Sequence, residues 1–299
     1  MIDYDPHDWR SHFFDIRGSL LREIIGRMLA CVIWSLVVAA AHYYWQWLEI
    51  PSTAHALVGV SLGLLLVVRT NSSYDRFWEG RKMWGSIIND TRNLGRLASS
   101  VLATAPDLRR QVLLWTIAFP VAGMNGLRNG GGIGGMASRL PADEVERVTA
   151  SNHCALAVAR RITQLLVEAR DRGVISDYVL GMLDQNVQAL VQYLGSCERI
   201  HRTPLPFAYV VHLRRAVMLY CYTLPFGLVH DFGYWTVPAV FLITYIFFGI
   251  EEIGVEIEDP FGSDENDLPL ERFCETIDRN LSELLSDPQG VPPSSAIRA

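Results

Sequence analysis

Residues 28–48 and 232–250 each run without a single Asp, Glu, Lys or Arg. A helix of about 20 apolar residues crosses the ~30 Å hydrocarbon core of a bilayer, and both runs reach that length. Lipid offers no partner to a backbone N–H or C=O, so continuous runs of this kind are expected to be helices. A chain that carries two of them is expected to be an integral membrane protein. The rest cannot all be lipid-embedded. Only 50% of the 299 residues are hydrophobic and 19% are charged, so a sizeable part is expected to sit in water.

Two shorter segments extend the membrane part. Residues 53–68 contain no formal charge, and residues 216–229 are apolar and follow Arg214 and Arg215. Together the four segments predict spans at about 24–48, 52–69, 210–230 and 232–251, arranged as two hairpins. Pro225 and Pro238 are expected to kink their helices, which neighbouring helices tolerate. Basic residues set the orientation. Arg10, Arg17, Arg22 and Arg27 precede the first span, Arg69, Arg76, Arg81 and Lys82 follow the second, and Arg199, Arg202, Arg214 and Arg215 lead into the third. The links at 49–52 and 230–231 hold no Lys or Arg. Both termini and the long middle segment are therefore expected on the cytoplasmic side. No signal peptide is expected; the first apolar run is too long for one and would act as its own insertion signal.

The middle segment reads as helices. Residues 72–100 place Phe77, Trp78, Trp84, Ile87, Ile88 and Leu94 at helical spacing, with Asn71, Ser72 or Ser73 able to cap a helix that starts as the membrane ends. Within this helix Glu79 would pair with Arg76 or Lys82. An apolar helix is expected at 108–127, interrupted at Pro120. Helices are also expected at 141–172 and 177–202, the latter capped by Ser176 or Asp177. Between them NGGGIGG (129–135) reads as a plain loop, since no Gly-Lys-Ser/Thr follows and no strand precedes it. The cytosolic helical part is expected to cover about 70–209 and 252–287, with a disordered tail at about 288–299. No alternating strand pattern or internal repeat interrupts this all-α reading.

Several function classes are disfavoured. A net charge of −6 argues against a nucleic-acid partner. The five cysteines form no CxxC pair and read as small buried side chains. The eight histidines are scattered, and no HExxH or GxSxG sequence points to an enzyme. The second span has no ionisable group between Ala56 and Val68, where an ion-coupled transporter usually keeps a polar group. One face of that span shows Val60, Leu64 and Val68 at i, i+4, i+8. Gly59, Ser61 and Gly63 would permit close helix contact. Such a helix either packs in a bundle or, repeated around an axis, forms a hydrophobic constriction that gates by dewetting. EIEDPFGSDEND (256–267) crowds carboxylates around a turn and reads as a solvated acidic loop or a site for a hard cation.

SLGLLLVVRTNSSYDRFWEGRKMWGSIINDTRNLGR (61–96), CERIHRTPLPFAY (197–209) and EIEDPFGSDENDLPLE (256–271) closely resemble the bacterial branch of the bestrophin family. The matches fall in order from about residue 15 to residue 285. The resemblance implies an all-α homopentameric ion channel in the bacterial inner membrane, surrounded by lipid, with four spans per subunit and a helical cytosolic domain. It implies that the second span lines a central neck. Counted back from Arg76, which matches the arginine of the family's helix junction, the neck positions are Val60, Leu64 and Val68. Family members often carry Ile or Phe there, so a wider neck is expected. A cytosolic aperture is expected at Val179, between Tyr178 and Leu180. Animal members bind calcium at the counterpart of the acidic turn, which carries over to Glu256, Asp259, Asp264 and Asp267. This chain has Glu and Asp where those channels have amides. No cofactor is expected to be required, and calcium binding is left open. The expected permeant ions are chloride and other monovalent anions. A monovalent-cation-selective channel of the same fold and a non-conducting membrane scaffold are the alternatives.

Overall fold

A computed structural model describes residues 20–45 and 50–286. Arg10 and Arg17, the expected end of the first span at 46–48 and the expected tail at 288–299 lie outside the described residues. Those residues form helices α1 (Leu21–Tyr44), α2 (Ser52–Val101), α3 (Pro106–Leu127), α4 (Ala142–Thr149), α5 (Cys154–Asp171), α6 (Asp177–Arg202), α7 (Phe207–Phe232), α8 (Thr236–Glu256) and α9 (Leu270–Ser286). Among the described residues there is no strand. The chain divides into two compact units. The first holds residues up to Trp78, Thr203–Pro260 and Asp264–Asp267, and the second holds Glu79–Arg202, Phe261–Ser263 and Leu268 onward.

In the first unit three segments are long and apolar enough to cross a membrane: Leu21–Tyr44, the start of Ser52–Val101, and Phe207–Glu256. The third is divided into α7 and α8 by a short 3-10 turn at Gly233–Trp235. Gly233 has φ of +53°, a left-handed conformation that costs a residue with a Cβ. Helix α1 packs on α8 and α7, and α7 packs on α8. Their shared core joins Ile24, Met28 and Cys31 to Leu62 and Leu66 of α2, Val217, Tyr220 and Leu224 of α7, and Val240 and Phe248 of α8. Pro225 lies within α7 without ending it. Pro238 falls in the first turn of α8, where no intrahelical partner awaits its missing N–H. Of the two glycines expected to allow close contact, Gly59 does so: a Cβ there would meet the Tyr220 hydroxyl at 2.5 Å. Gly63 has nothing within 4 Å of that position.

The second unit is organised around α3, which is buried almost all round from Val112 to Phe119. It packs against α5, α6 and α9. Gly123 lets Leu194 of α6 approach to 3.0 Å of where a Cβ would stand. Trp84, Trp115, Phe119, Leu165 and Ile277 are fully enclosed. The loop at 129–135 is a loop as expected, with positive φ at Asn129, Gly132 and Gly134.

Three expectations about helix limits and one about an ion pair require correction. Helix α2 does not restart at residues 71–73; it is one helix of 50 residues. Of the residues expected to cap, Ser72 folds its hydroxyl back on the preceding turn, as its neighbour Thr70 also does, while Ser73 Oγ is buried without a hydrogen-bond partner. Thr70 Oγ1 donates to Leu66 O at 2.9 Å and Ser72 Oγ to Val68 O at 2.9 Å, so these two hydroxyls are satisfied without a helix end. Helix α3 continues through Pro120, whose ring is accommodated in the buried interior of the unit. The expected helix 141–172 is two helices, because the chain leaves helical geometry at 150–153 and His153 starts a new one. Its Nδ1 accepts from Leu156 N at 3.2 Å. Finally, Glu79 pairs with Arg199 at 2.8 Å and not with its helix neighbours. Helix α6 begins as expected, with Ser176 Oγ accepting from Val179 N at 3.4 Å.

Candidate pore-lining helix and its charge cluster

The membrane part of α2 buries a narrow stripe: His55, Leu62, Leu66, Arg69 and Ser73. Everything else on it is partly or fully open. Val60 is 75% exposed, Leu64 66% and Val68 50%. The three residues expected to line a neck thus share one face, turned away from the subunit's own core. They bear no polar atom on their side chains. Water in a narrow passage lined this way has nothing to bond to, and such a passage is prone to dewetting.

Arg69 directly follows Val68 and points the other way. It is completely buried. Its guanidinium lies 3.5 Å from Glu258 and 3.9 Å from Glu251, with no hydrogen bond to any of its three nitrogens. Glu251, 3% exposed on its side chain, is shared further. Arg214 Nε of α7 reaches its Oε1 at 2.8 Å and Arg27 Nη1 of α1 its Oε2 at 3.4 Å. Arg27 also bonds Glu252. One carboxylate on α8 is therefore the common partner of cations from α1, α2 and α7. Gly254 lets Arg69 pack close beside it: a Cβ there would stand 3.2 Å from Arg69 Nε and press on it. Below Arg69, Arg76 Nε donates to the Glu258 carbonyl at 3.0 Å, and Arg76 also bonds the Thr203 carbonyl. Leu205 N donates to Glu258 Oε1 at 3.0 Å. In the sequence Arg27, Arg69 and Arg214 served only as orientation signals. The available clue was Glu251 and Glu252, the acidic pair that closes the last apolar run.

Within the acidic turn, Asp264 N donates to Asp267 Oδ2 at 2.7 Å and Asp267 N to Asp264 O at 3.1 Å, a closed ring of two mutual bonds. Asn266 Nδ2 donates to Glu256 Oε1 at 2.9 Å. Asp267 is 3% exposed. Burial pushes its carboxyl up to about 6, and the negative charges of Asp264, Asp259 and Glu256 add to the rise. The turn thus brings the four expected carboxylates near one another. Among the described residues, however, no three His, Cys, Asp or Glu side chains converge where they could share a metal ion. One oxygen each of Glu256 and Asp267 accepts from a protein donor, which leaves the second oxygen of each carboxylate.

Val179, in the second unit, lies in the first turn of α6 and is half-buried, while its neighbour Tyr178 is 78% exposed. The end of this helix thus presents a bulky aromatic to solvent beside the residue expected at the aperture.

A fold without strands among the described residues, three segments long and apolar enough to cross a membrane and an uncharged exposed face on α2 together define a helical integral membrane protein. The sequence matches the family described as bacterial/fungal bestrophin protein over residues 1–283, and the chain belongs to that family. A protein from a Nostoc species, named a voltage-dependent anion channel-forming protein, is 38% identical over 282 residues, covering 93% of this chain and 92% of its own length. A Synechocystis protein of the same description is 38% identical over 287 residues, 95% of this chain and 94% of its own. The crystal structure of a bacterial bestrophin homologue from Klebsiella pneumoniae aligns with a TM-score of 0.84 at 32% identity, over 88% of this chain and 98% of that one.

Proposed function

We propose that the chain is the subunit of a passive ion channel in which five copies surround an axis, with α2 of each facing inward. The observation that carries this reading is the exposure of Val60, Leu64 and Val68 along one uncharged face of α2, opposite the stripe that holds the helix to its own subunit. Three such rings form a hydrophobic neck. The first unit would lie in the inner membrane among lipids, with both termini and the second unit in the cytoplasm, and Val179 would line a cytosolic aperture.

Chloride and other monovalent anions are the proposed permeant ions, supported by the names of the relatives. A neck of Val and Leu carries no charge of its own, so selection falls to the charged groups and helix dipoles at its two ends. The test is the reversal potential of the purified protein in a planar bilayer under a tenfold KCl gradient. A value near the chloride equilibrium potential is expected. A value at the potassium potential would assign a cation channel of the same fold. Leu64→Ala is expected to raise open probability. If that substitution changes only stability and never current, the protein is a membrane scaffold.

A further inference from the structure

Selectivity at the cytoplasmic end of the neck can be traced to a single residue. The part of α2 in the first unit carries three formal charges: Arg69, Asp75 and Arg76. Arg69 is buried and held between Glu251 and Glu258. Arg76 turns to the carbonyls of Glu258 and Thr203. Asp75 is exposed, and among the described residues no hydrogen bond or ion pair engages its carboxylate.

Its direction follows from helix geometry. At 100° per residue Asp75 comes to lie between Leu64 and Val68 in projection, and Asn71 between Val60 and Leu64. The five residues occupy a sector about 80° wide. Asp75 stands about 10 Å beyond Val68 along the axis. The next charge in that sector, Lys82, comes seven residues later and outside the first unit, which leaves Asp75 as the charge adjacent to the neck.

We propose that Asp75 is a specificity-determining residue: in the assembled channel its carboxylates form a ring at the cytoplasmic end of the neck that enriches cations and lowers the preference for anions. The proposal rests on the pore reading of α2 given above. The physics is ordinary focusing. Like charges gathered around a narrow opening with low-dielectric walls raise the local concentration of the opposite sign by tenfold or more. Because the ring stands in water, salt screens it: the Debye length falls from about 10 Å at 0.1 M to about 3 Å at 1 M.

The experiment compares the chloride-to-potassium permeability ratio of wild type, Asp75→Asn, Asp75→Glu and Leu64→Ala in planar bilayers, at low salt and near 1 M. Asp75→Asn is expected to raise the ratio about threefold or more at low salt, with the difference shrinking near 1 M. Asp75→Glu keeps the charge and is expected to match wild type. An exposed, unpartnered side chain makes folding failure of these variants an unlikely confounder, and pentamer elution on gel filtration checks it. If Asp75→Asn leaves the ratio unchanged while Leu64→Ala alters the current, Asp75 lies off the pathway and the proposal is overturned, with the neck reading intact. If neither substitution alters the current, the neck reading falls and takes the proposal with it.

Discussion

Asp267 shows how one side chain couples the acidic turn to pH. Its carboxyl is raised from 3.8 to about 6, so the folded chain holds this proton more tightly than the unfolded chain does. A raised carboxyl pKa means that ionisation opposes folding. Between about pH 4 and 6 the folded state keeps the proton and the unfolded state loses it, so this group's contribution falls as pH rises through that window. Above about pH 6 the unfavourable ionised form is complete, and its cost is up to about 3 kcal/mol. Asp267→Asn keeps an oxygen to accept from Asp264 N and removes the charge. The variant is expected to melt above wild type at pH 7.5 and to converge with it near pH 4, read from thermal unfolding in detergent. A difference independent of pH would show that the charge of Asp267 is not what the turn opposes.

At the scale of the element, α2 explains which features were legible in the sequence. The exposed apolar face was, because Val60, Leu64 and Val68 recur at i, i+4, i+8; its reading as a neck came from the resemblance and not from the spacing. The continuity of α2 was not, since Asn71, Ser72 and Ser73 have the composition of a cap and the back-bonding of Ser72 to Val68 exists only once the helix is formed. The break before α5 was hidden for a related reason: His153 is not a common cap, and only its ring nitrogen's contact with Leu156 N marks it as one. The Arg69–Glu251 pairing was invisible because it joins residues far apart in the chain. Yet it ties α2 to the rest of its unit more specifically than apolar packing does. Removing one partner of a buried ion pair typically costs 3–5 kcal/mol, because the remaining charge is left uncompensated. Glu251→Gln would leave the buried Arg69 with Glu258 alone as its anionic partner and take the charge that faces Arg214 and Arg27. It is expected to lower the melting temperature sharply in detergent, by the equivalent of about 3 kcal/mol, whereas Glu252→Gln, which touches only Arg27, is expected to do much less. Equal effects of the two would mean that Glu251 is not the shared anchor.

The whole molecule carries far more exposed apolar surface in its first unit than a water-soluble chain tolerates. Ile25, Leu29, Ile33, Leu36 and Val37 of α1, and Leu219, Phe241 and Leu242 of α7 and α8, are open along with the α2 face. Lipid can cover the outer residues. The α2 face needs either lipid, other copies of itself or a water-filled passage, and these choices separate the scaffold from the channel. Gly63, with nothing against it in its own subunit, leaves room for a neighbouring helix at that level. The most direct measurement is thiol modification of Leu64→Cys under voltage clamp in a planar bilayer. Four of the five native cysteines, Cys31, Cys197, Cys221 and Cys274, are buried, with burial holding the thiols of Cys197 and Cys274 up to about 12; Cys154, against expectation, is only half-buried, though burial raises its thiol too, and Cys154→Ser removes it from the background. A small methanethiosulfonate reagent applied to open channels is expected to block the Leu64→Cys current progressively and to leave wild-type current unchanged. A Leu64→Cys channel that conducts, becomes labelled and passes the same current afterwards would place this face of α2 outside the ion path and contradict the account.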